Sequence, residues 1–274
     1  MAPFRPVQSM PGLSVRPGDT REISRSLPEE VAVAMVYDGT THAVMMATPA
    51  DIHDFAIGFS LTEGVVSDSG QVGDFELVEH AQGIEARMWL SDGCGAALSA
   101  RRRQMAGPVG CGLCGIDSLE QAVRALPHVG SGGTTLTRSE LASASDALRA
   151  HQPLHDRTNA VHAAGFLSPG AGIIAAREDV GRHNALDKVI GAMARQGMDP
   201  AQGAFVLTSR ISVEMVQKCA MAGCPVLIAV SAPTAHALRL ADDAGITLAA
   251  FARGGGVELF SHANRIKIGA NDVA

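Results

Sequence analysis

The sequence predicts an α/β protein in two parts. Residues 131–274 read as an α/β layer sandwich, residues 21–130 as a smaller α+β unit of ββαββ order, and residues 1–20 as a flexible tail. Three observations carry this. Short apolar runs alternate with ten-residue helical patterns through the second half, the signature of strands layered with helices. Two apolar runs in the first half, Val31 to Tyr37 and Thr41 to Ala47, are joined by Asp38-Gly39, a hairpin signal. The Gly-rich stretch Gly130 to Gly133 then separates the halves.

Taken in order, the first twenty residues are punctuated by Pro and Gly and lack the apolar centre of a signal peptide. After the hairpin, Thr48 is a candidate N-cap with Pro49 at the first helical position. Ile52, Phe55, Ala56, Phe59 and Leu61 form an apolar stripe, and Gly64 is the expected stop. Phe75 to Val78 and Ile84 to Leu90 read as strands. Ser91 to Gly115 loses all periodicity and reads as an exposed loop, and a short helix is expected from Ser118 to Leu126.

In the second half, helices are expected over Arg138 to Ala150, Asn184 to Gln196, Val213 to Met221 and Ala235 to Ala244. Strands are expected over Val161 to Leu167, Gly172 to Ala176, Ala204 to Thr208, Pro225 to Val230 and Thr247 to Ala252.

Composition narrows the function classes. A net charge of −6 argues against nucleic acid as a partner. No apolar run reaches membrane-spanning length. Five cysteines, an odd number in a long chain without an export signal, favour thiol chemistry or metal binding over structural disulfides. A cytoplasmic location follows as an expectation.

The sharpest chemical feature is Cys111-Gly112-Leu113-Cys114, flanked by Gly110 and Gly115. Two sulfurs at this spacing can face one site, and the thiolate is the reactive form. A helix start near Ser118 and the triplet Arg101-Arg102-Arg103 would both favour thiolate. Alone, the pair fits thioredoxin-like redox chemistry, a zinc site with Cys94 and His128, a loop without a chemical role, or persulfide transfer. The second half also has the element order of zinc deaminases. It lacks their H-x-E and P-C-x-x-C ligands, since His162 precedes Ala163-Ala164 and His183 precedes Asn184-Ala185. Cys219 and Cys224 read as buried small hydrophobes.

Two polar segments follow strands. The stretch from Arg177 to Lys188 is either a solvated turn or a ligand site at a strand's carboxyl end. Phe251-Ala252-Arg253-Gly254-Gly255-Gly256 offers backbone N–H groups and a guanidinium suited to phosphate, although a simple turn is the default for a glycine run.

Together these segments resemble the FdhD/NarQ family from about Arg21 to Lys267. The resemblance is carried by Gly58 to Gly64, Cys111 to Gly115, Arg177 to Lys188, Ser209 to Lys218, and the span from Ser231 to Gly255. It implies a second domain of cytidine-deaminase-like three-layer αβα fold without zinc. It also implies a sulfurtransferase that takes persulfide sulfur from a cysteine desulfurase. The sulfur goes to the bis-molybdopterin guanine dinucleotide molybdenum cofactor, before that cofactor enters formate dehydrogenase. Cys111 would be the carrier, with Cys114 assisting release or receiving the sulfur. Phe251, Ala252, Arg253, Gly254, Gly255 and Gly256 would contact the cofactor. A homodimer is implied, with no metal site or permanently bound cofactor. The sequence departs from the family pattern at Gly256, usually basic, at Phe260, often Tyr, and at Asn159-Ala160, usually Gly-Gly. The alternatives are a cofactor chaperone that moves no sulfur and a CxxC dithiol oxidoreductase. The first predicts function without Cys111 and Cys114; the second predicts a reversible disulfide and no sulfane sulfur.

Overall fold

A computed structural model describes residues 4–91, 126–130 and 134–267. The segment from Asp92 onward that holds Cys94, Arg101 to Arg103, Cys111 and Cys114, and most of the helix expected from Ser118, lies outside the described residues.

The expected tail is corrected. Strands β1 (Val7–Arg16) and β2 (Asp19–Pro28) pair antiparallel along their whole length and turn at Gly18. Strand β1 alternates only over Pro11, Leu13 and Val15, with Pro and Gly inside it, and β2 has only Ile23 and Leu27 as large apolar residues, so the period-2 signal is short and weak. The hairpin signal instead sits in Pro17-Gly18-Asp19.

The next unit is a four-stranded sheet, ordered β4-β3-β6-β5, from β3 (Val31–Tyr37), β4 (Thr40–Ala47), β5 (Val72–His80) and β6 (Gly83–Leu90). Helix α1 (Ile52–Thr62) lies on one face. Its Ile52, Phe55, Ala56 and Phe59 close a core with Val33, Met35, Tyr37, Ile84, Ala86 and Met88. The Tyr37 hydroxyl is buried and shares a 2.7 Å hydrogen bond with Ser60.

The expected cap at Thr48 is also corrected. Asp51, in the left-handed region, occupies the N-cap position without a side-chain cap bond. Thr48 is fully buried and serves contacts to the second unit instead.

That unit is built on a six-stranded sheet ordered β13-β12-β11-β10-β8-β9. Its strands are β8 (His162–Ser168), β9 (Gly172–Asp179), β10 (Ala204–Leu207), β11 (Val226–Ala229), β12 (Thr247–Arg253) and β13 (Gly256–Ser261). The central strands β10, β11 and β12 run parallel, and the outer pairings are antiparallel. Short strand β7 (Leu136–Thr137) pairs with β14 (Ile266–Lys267).

Alternation along the central strands sends side chains to two cores. Phe205, Leu207, Leu227 and Leu248 face helices α4 (Arg182–Arg195), α5 (Val213–Met221) and α6 (Ala235–Asp243). Ala204, Val206, Val226 and Ile228 face α2 (Arg138–Arg149), which starts in a capping box between Thr137 and Glu140. Val129 and Leu126 pack with the first of these cores, so the second unit recruits chain ahead of the Gly-rich boundary expected at Gly130. Strand β13 and helix α3 (Pro153–Thr158) were not expected. Helix α3 ends on Asn159 at φ 54°, a backbone position that Gly or Asn tolerates and other residues resist. Among the described residues, no helix is long and apolar enough to cross a membrane.

Candidate functional site at the carboxyl edge of the sheet

Parallel β10, β11 and β12 end at one edge, where open α/β sheets place their ligand crevices. The loops there are tied together. Ile211 donates its N–H to Ala232 O at 3.1 Å, Thr234 donates to Ile211 O at 3.0 Å, and Phe251 donates to Ser231 O at 3.3 Å. Helices α5 and α6 start from these loops, with Ser212 and Thr234 at their N-cap positions. Helix α4 begins at the same edge, because β9 ends beside the start of β8. Three helix N-termini thus bring partial positive charge to the edge.

Titratable side chains collect there. His162, opposite Asp179 in the β8–β9 register, has Nδ1 3.5 Å from Thr208 Oγ1. Burial, then the nearby charges of Arg182 and His183, depress its pKa. His183 Nε2 lies 3.9 Å from Glu214 Oε2. Glu214, at the start of α5, is held down to about 2, chiefly by His183 with help from Ser212. The pairing of His183 with Glu214 was not expected from the sequence. Its signal was positional, since both residues stand in the first turn of a helix that follows a strand.

The Phe251 to Gly256 stretch closes the β12–β13 hairpin at this edge. Gly254 and Gly255 have φ of 60° and 76°, the paired positive values of a tight hairpin turn. Phe251 also has a positive φ, 53°, where the register between the strands shifts. Arg253 and the three glycines are exposed, Ala252 is buried, and Phe251 sits with its ring centre 6.3 Å from that of Phe260. The turn therefore carries an accessible guanidinium beside exposed backbone.

The Arg177 to Lys188 stretch is mostly a buried latch between the two units. Lys188 and Asp179 are both fully buried and paired at 2.7 Å. Asp179 also accepts from the N–H groups of Thr48 (3.0 Å) and Gly181 (2.7 Å) and from Asn184 Nδ2 (2.9 Å). Lys188 Nζ donates to Thr48 O at 3.0 Å, and Asn184 to Met46 O at 2.8 Å. Every partner of the charge pair is thus fixed, which is what a buried ion pair requires. Glu178 receives the N–H groups of Leu154 and His155, each at 2.7 Å, at the start of α3.

A second buried group is built on the neighbouring residue, Asp187. Lys218 on α5 meets Asp187 at 2.9 Å, Glu63 at 3.1 Å and Thr62 at 3.0 Å. Burial opposes the Lys218 charge, but attraction to Asp187 and Glu63 outweighs it and raises the pKa. Burial pushes the Asp187 carboxyl up against the pull of Lys218.

Between these groups α1 and α4 cross at backbone contact. A Cβ on Gly58 would lie 1.8 Å from Asp187 O, and one on Gly191 would lie 1.8 Å from Asp54 O. Asp54 is buried and accepts from Arg177 Nη2 at 2.7 Å and from Arg195 at 2.5 Å.

The structure thus brings the Phe251 to Gly256 turn to the polar edge and places Lys188 away from it, in the latch. Cys111 and Cys114 are outside the described residues. Cys219 and Cys224 are free thiols buried in the core, as read from the sequence. Burial raises the Cys219 pKa well above its ordinary value, with Cys224 adding to the shift. Among the described residues no group of three or more His, Cys, Asp or Glu could hold a metal.

The comparison with known proteins is decisive on kinship. The FdhD/NarQ family profile matches residues 28–267. The chain belongs to the FdhD/NarQ family. It is 53% identical over 253 residues to the sulfur carrier protein FdhD of Agrobacterium fabrum, covering 92% of this chain and 93% of the relative. It is 52% identical over 254 residues to the protein of that name from Brucella abortus, covering 93% and 94%. A solved structure described as a formate dehydrogenase accessory protein from Desulfotalea psychrophila shares the fold. Its TM-score is 0.76 at 23% identity, over 96% of this chain and all of that one.

Proposed function

We propose that this FdhD/NarQ member is a sulfur carrier in formate dehydrogenase maturation. The observation that carries the reading is the match, over more than nine-tenths of the chain, to relatives named as sulfur carriers, in a chain that holds a Gly-flanked Cys111-x-x-Cys114 pair. In this reading the protein is a sulfurtransferase. The Cys111 thiolate attacks the outer sulfur of a cysteine desulfurase persulfide, and the desulfurase cysteine leaves as thiolate. The acceptor substrate is the bis-molybdopterin guanine dinucleotide molybdenum cofactor, with Cys114 assisting release or receiving the sulfur.

The carboxyl edge suits the anionic arms of that substrate. Arg253 offers a fork for phosphate oxygens, and Gly254 and Gly255 let backbone come close without a Cβ. Three helix starts and the half-buried His162 and His183 line the same side. The site would sit in a cytidine-deaminase-like layering, a reading supported by the central sheet with helices on both faces. A homodimer working in the cytoplasm completes the proposal.

The test is complementation of a strain lacking its own carrier. Wild type is expected to restore formate dehydrogenase activity, and Cys111→Ala is expected to abolish it. Full activity in the double variant Cys111→Ala/Cys114→Ala would instead select the cofactor chaperone.

A further inference from the structure

Two adjoining hollows of about 490 Å³ and about 300 Å³ lie along β9, the strand at one end of the six-stranded sheet. They share His151, Pro153, Ala176 and Arg177, so they form one groove. The chain just past α2 and the start of α3 wall one side of it, and Pro6, Ala50 and Asp51 close one end. The groove has no part in the proposed chemistry.

Its floor is a strand edge with backbone groups to offer. Ala163 on β8 turns its N–H and C=O toward β10, where both meet Thr208. Residues opposite one another in an antiparallel pair either face each other or face apart together. Glu178, opposite Ala163, therefore turns its backbone outward, and so do Ala176 and Val180. The Val180 N–H is met on that side by Thr48 Oγ1 at 3.1 Å, which covers the far end of the edge. Among the described residues no strand lies against the remainder. Proteins guard such edges with charged side chains or proline. Gly172 to Ala176 carries neither; its side chains are Ile173, Ile174 and two alanines, and Ile174 is 42% exposed.

Most charges around the groove are answered from within the chain. Arg177 is held by Asp54 and Asp51, Asp156 pairs with Arg149, and Glu178 accepts the two N–H groups at the start of α3. Arg157 and His151 are exposed, and among the described residues their side chains have no hydrogen-bond or ion-pair partner. The charge left unanswered is the Arg157 guanidinium. We propose that the groove receives an extended, acidic segment of a partner protein. The segment adds a strand to β9 through main-chain hydrogen bonds and sets small or β-branched side chains against Ile173 and Ile174. A carboxylate on it meets Arg157 and His151. The open backbone edge selects a polypeptide over a nucleotide or a small anion, and Arg157 selects an acidic one. Gly172 to Glu178 gives a run of about 20 Å at about 3.3 Å per residue, room for roughly six residues of partner. The inference rests on no step of the sulfur chemistry, and its failure would leave the carrier reading untouched.

Selection of a phage library of random dodecapeptides on the full-length protein tests it, followed by fluorescence anisotropy of the enriched peptides with wild type, Arg157→Glu and Ile174→Glu. The enriched peptides are expected to share an acidic residue beside small or β-branched ones. Each variant should weaken their binding at least about tenfold, because each sets a carboxylate against an acidic peptide. Binding to wild type should also weaken as salt is raised. Circular dichroism and sedimentation mass should be the same for all three proteins, since both side chains are exposed. No enrichment, enriched peptides without an acidic residue, or equal binding to all three proteins would overturn the inference. So would a shift of sedimentation mass in either variant, which would assign the groove to contact between copies of the chain.

Discussion

Two segments that look alike in the sequence do opposite work in the fold. Arg177 to Lys188 and Phe251 to Gly256 are both polar stretches associated with a strand's end, and each could be read as a turn or a ligand site. In the structure the first is largely consumed by the join between the two units. Asp179, Asn184, Asp187 and Lys188 are all nearly inaccessible. The second is an exposed hairpin turn with Arg253 in solvent. Density of charge alone does not mark a binding site. Charges whose partners come from far along the chain, such as Thr48 and Met46, hold structure. Charges left at a sheet edge remain available to a ligand.

That contrast can be broken most severely at the helix crossing. Gly191→Ala forces a methyl group against Asp54 O, and the helices must separate. We expect a loss of about 3 kcal/mol or more, or failure to fold, by thermal and urea denaturation. A change below about 0.5 kcal/mol would show that the crossing is looser than described.

Next in size is Lys188→Met, which leaves the Asp179 carboxylate buried without its countercharge. The expected cost is about 3–5 kcal/mol in chemical denaturation. Adding Asp179→Asn should recover part of it. No recovery would mean that the hydrogen bonds to Thr48, Gly181 and Asn184 matter more than the charge.

At the exposed turn the pattern should invert. Arg253→Ala is expected to change stability by less than about 0.5 kcal/mol. It should weaken binding of guanosine diphosphate, a probe for the cofactor's nucleotide arms, about tenfold by calorimetry. Destabilisation without any change in binding would assign Arg253 to structure.

The smallest expected effect is pH dependence at the edge. His162 has a folded pKa below its ordinary value, so its neutral form contributes stability above about pH 6.5, and this fades as pH falls through the folded pKa. Glu214 is depressed to about 2, so its contribution is present above the ordinary carboxylate range and is lost as pH falls from about 4.5 toward 2. Stability should therefore decline first as His162 protonates and again in the carboxylate range, and Glu214→Gln should reduce the lower loss without removing it, because the Glu140 and Glu85 carboxyls are also held below the ordinary range by their hydrogen bonds.

Much of the fold was legible because local signals and tertiary needs agreed. Helices over Arg138, Asn184, Val213 and Ala235, and the buried strands between them, were placed from apolar periodicity, and their ends moved by only a few residues. The ribbon at Val7 to Pro28 was missed because its strands bury almost nothing in the single chain, and the one alternating stretch, Pro11, Leu13 and Val15, is short and broken by Pro and Gly. Thr48 was misread because a cap and a buried hydrogen-bonding residue demand the same side chain. The latch was invisible for a related reason: Thr48 lies 131 residues from Asp179, and no local rule pairs them. At the edge, Arg253 and the glycines were found from their chemistry, while the His183–Glu214 contact depends on two helix starts meeting in space.

The most direct test of the central claim is the intact mass of the protein after incubation with a cysteine desulfurase and cysteine. Wild type, Cys111→Ala and Cys114→Ala would be compared. Wild type is expected to gain one reductant-labile sulfur atom, absent in Cys111→Ala, with none on buried Cys219 or Cys224. No gain on reduced wild type beside an active desulfurase would contradict it.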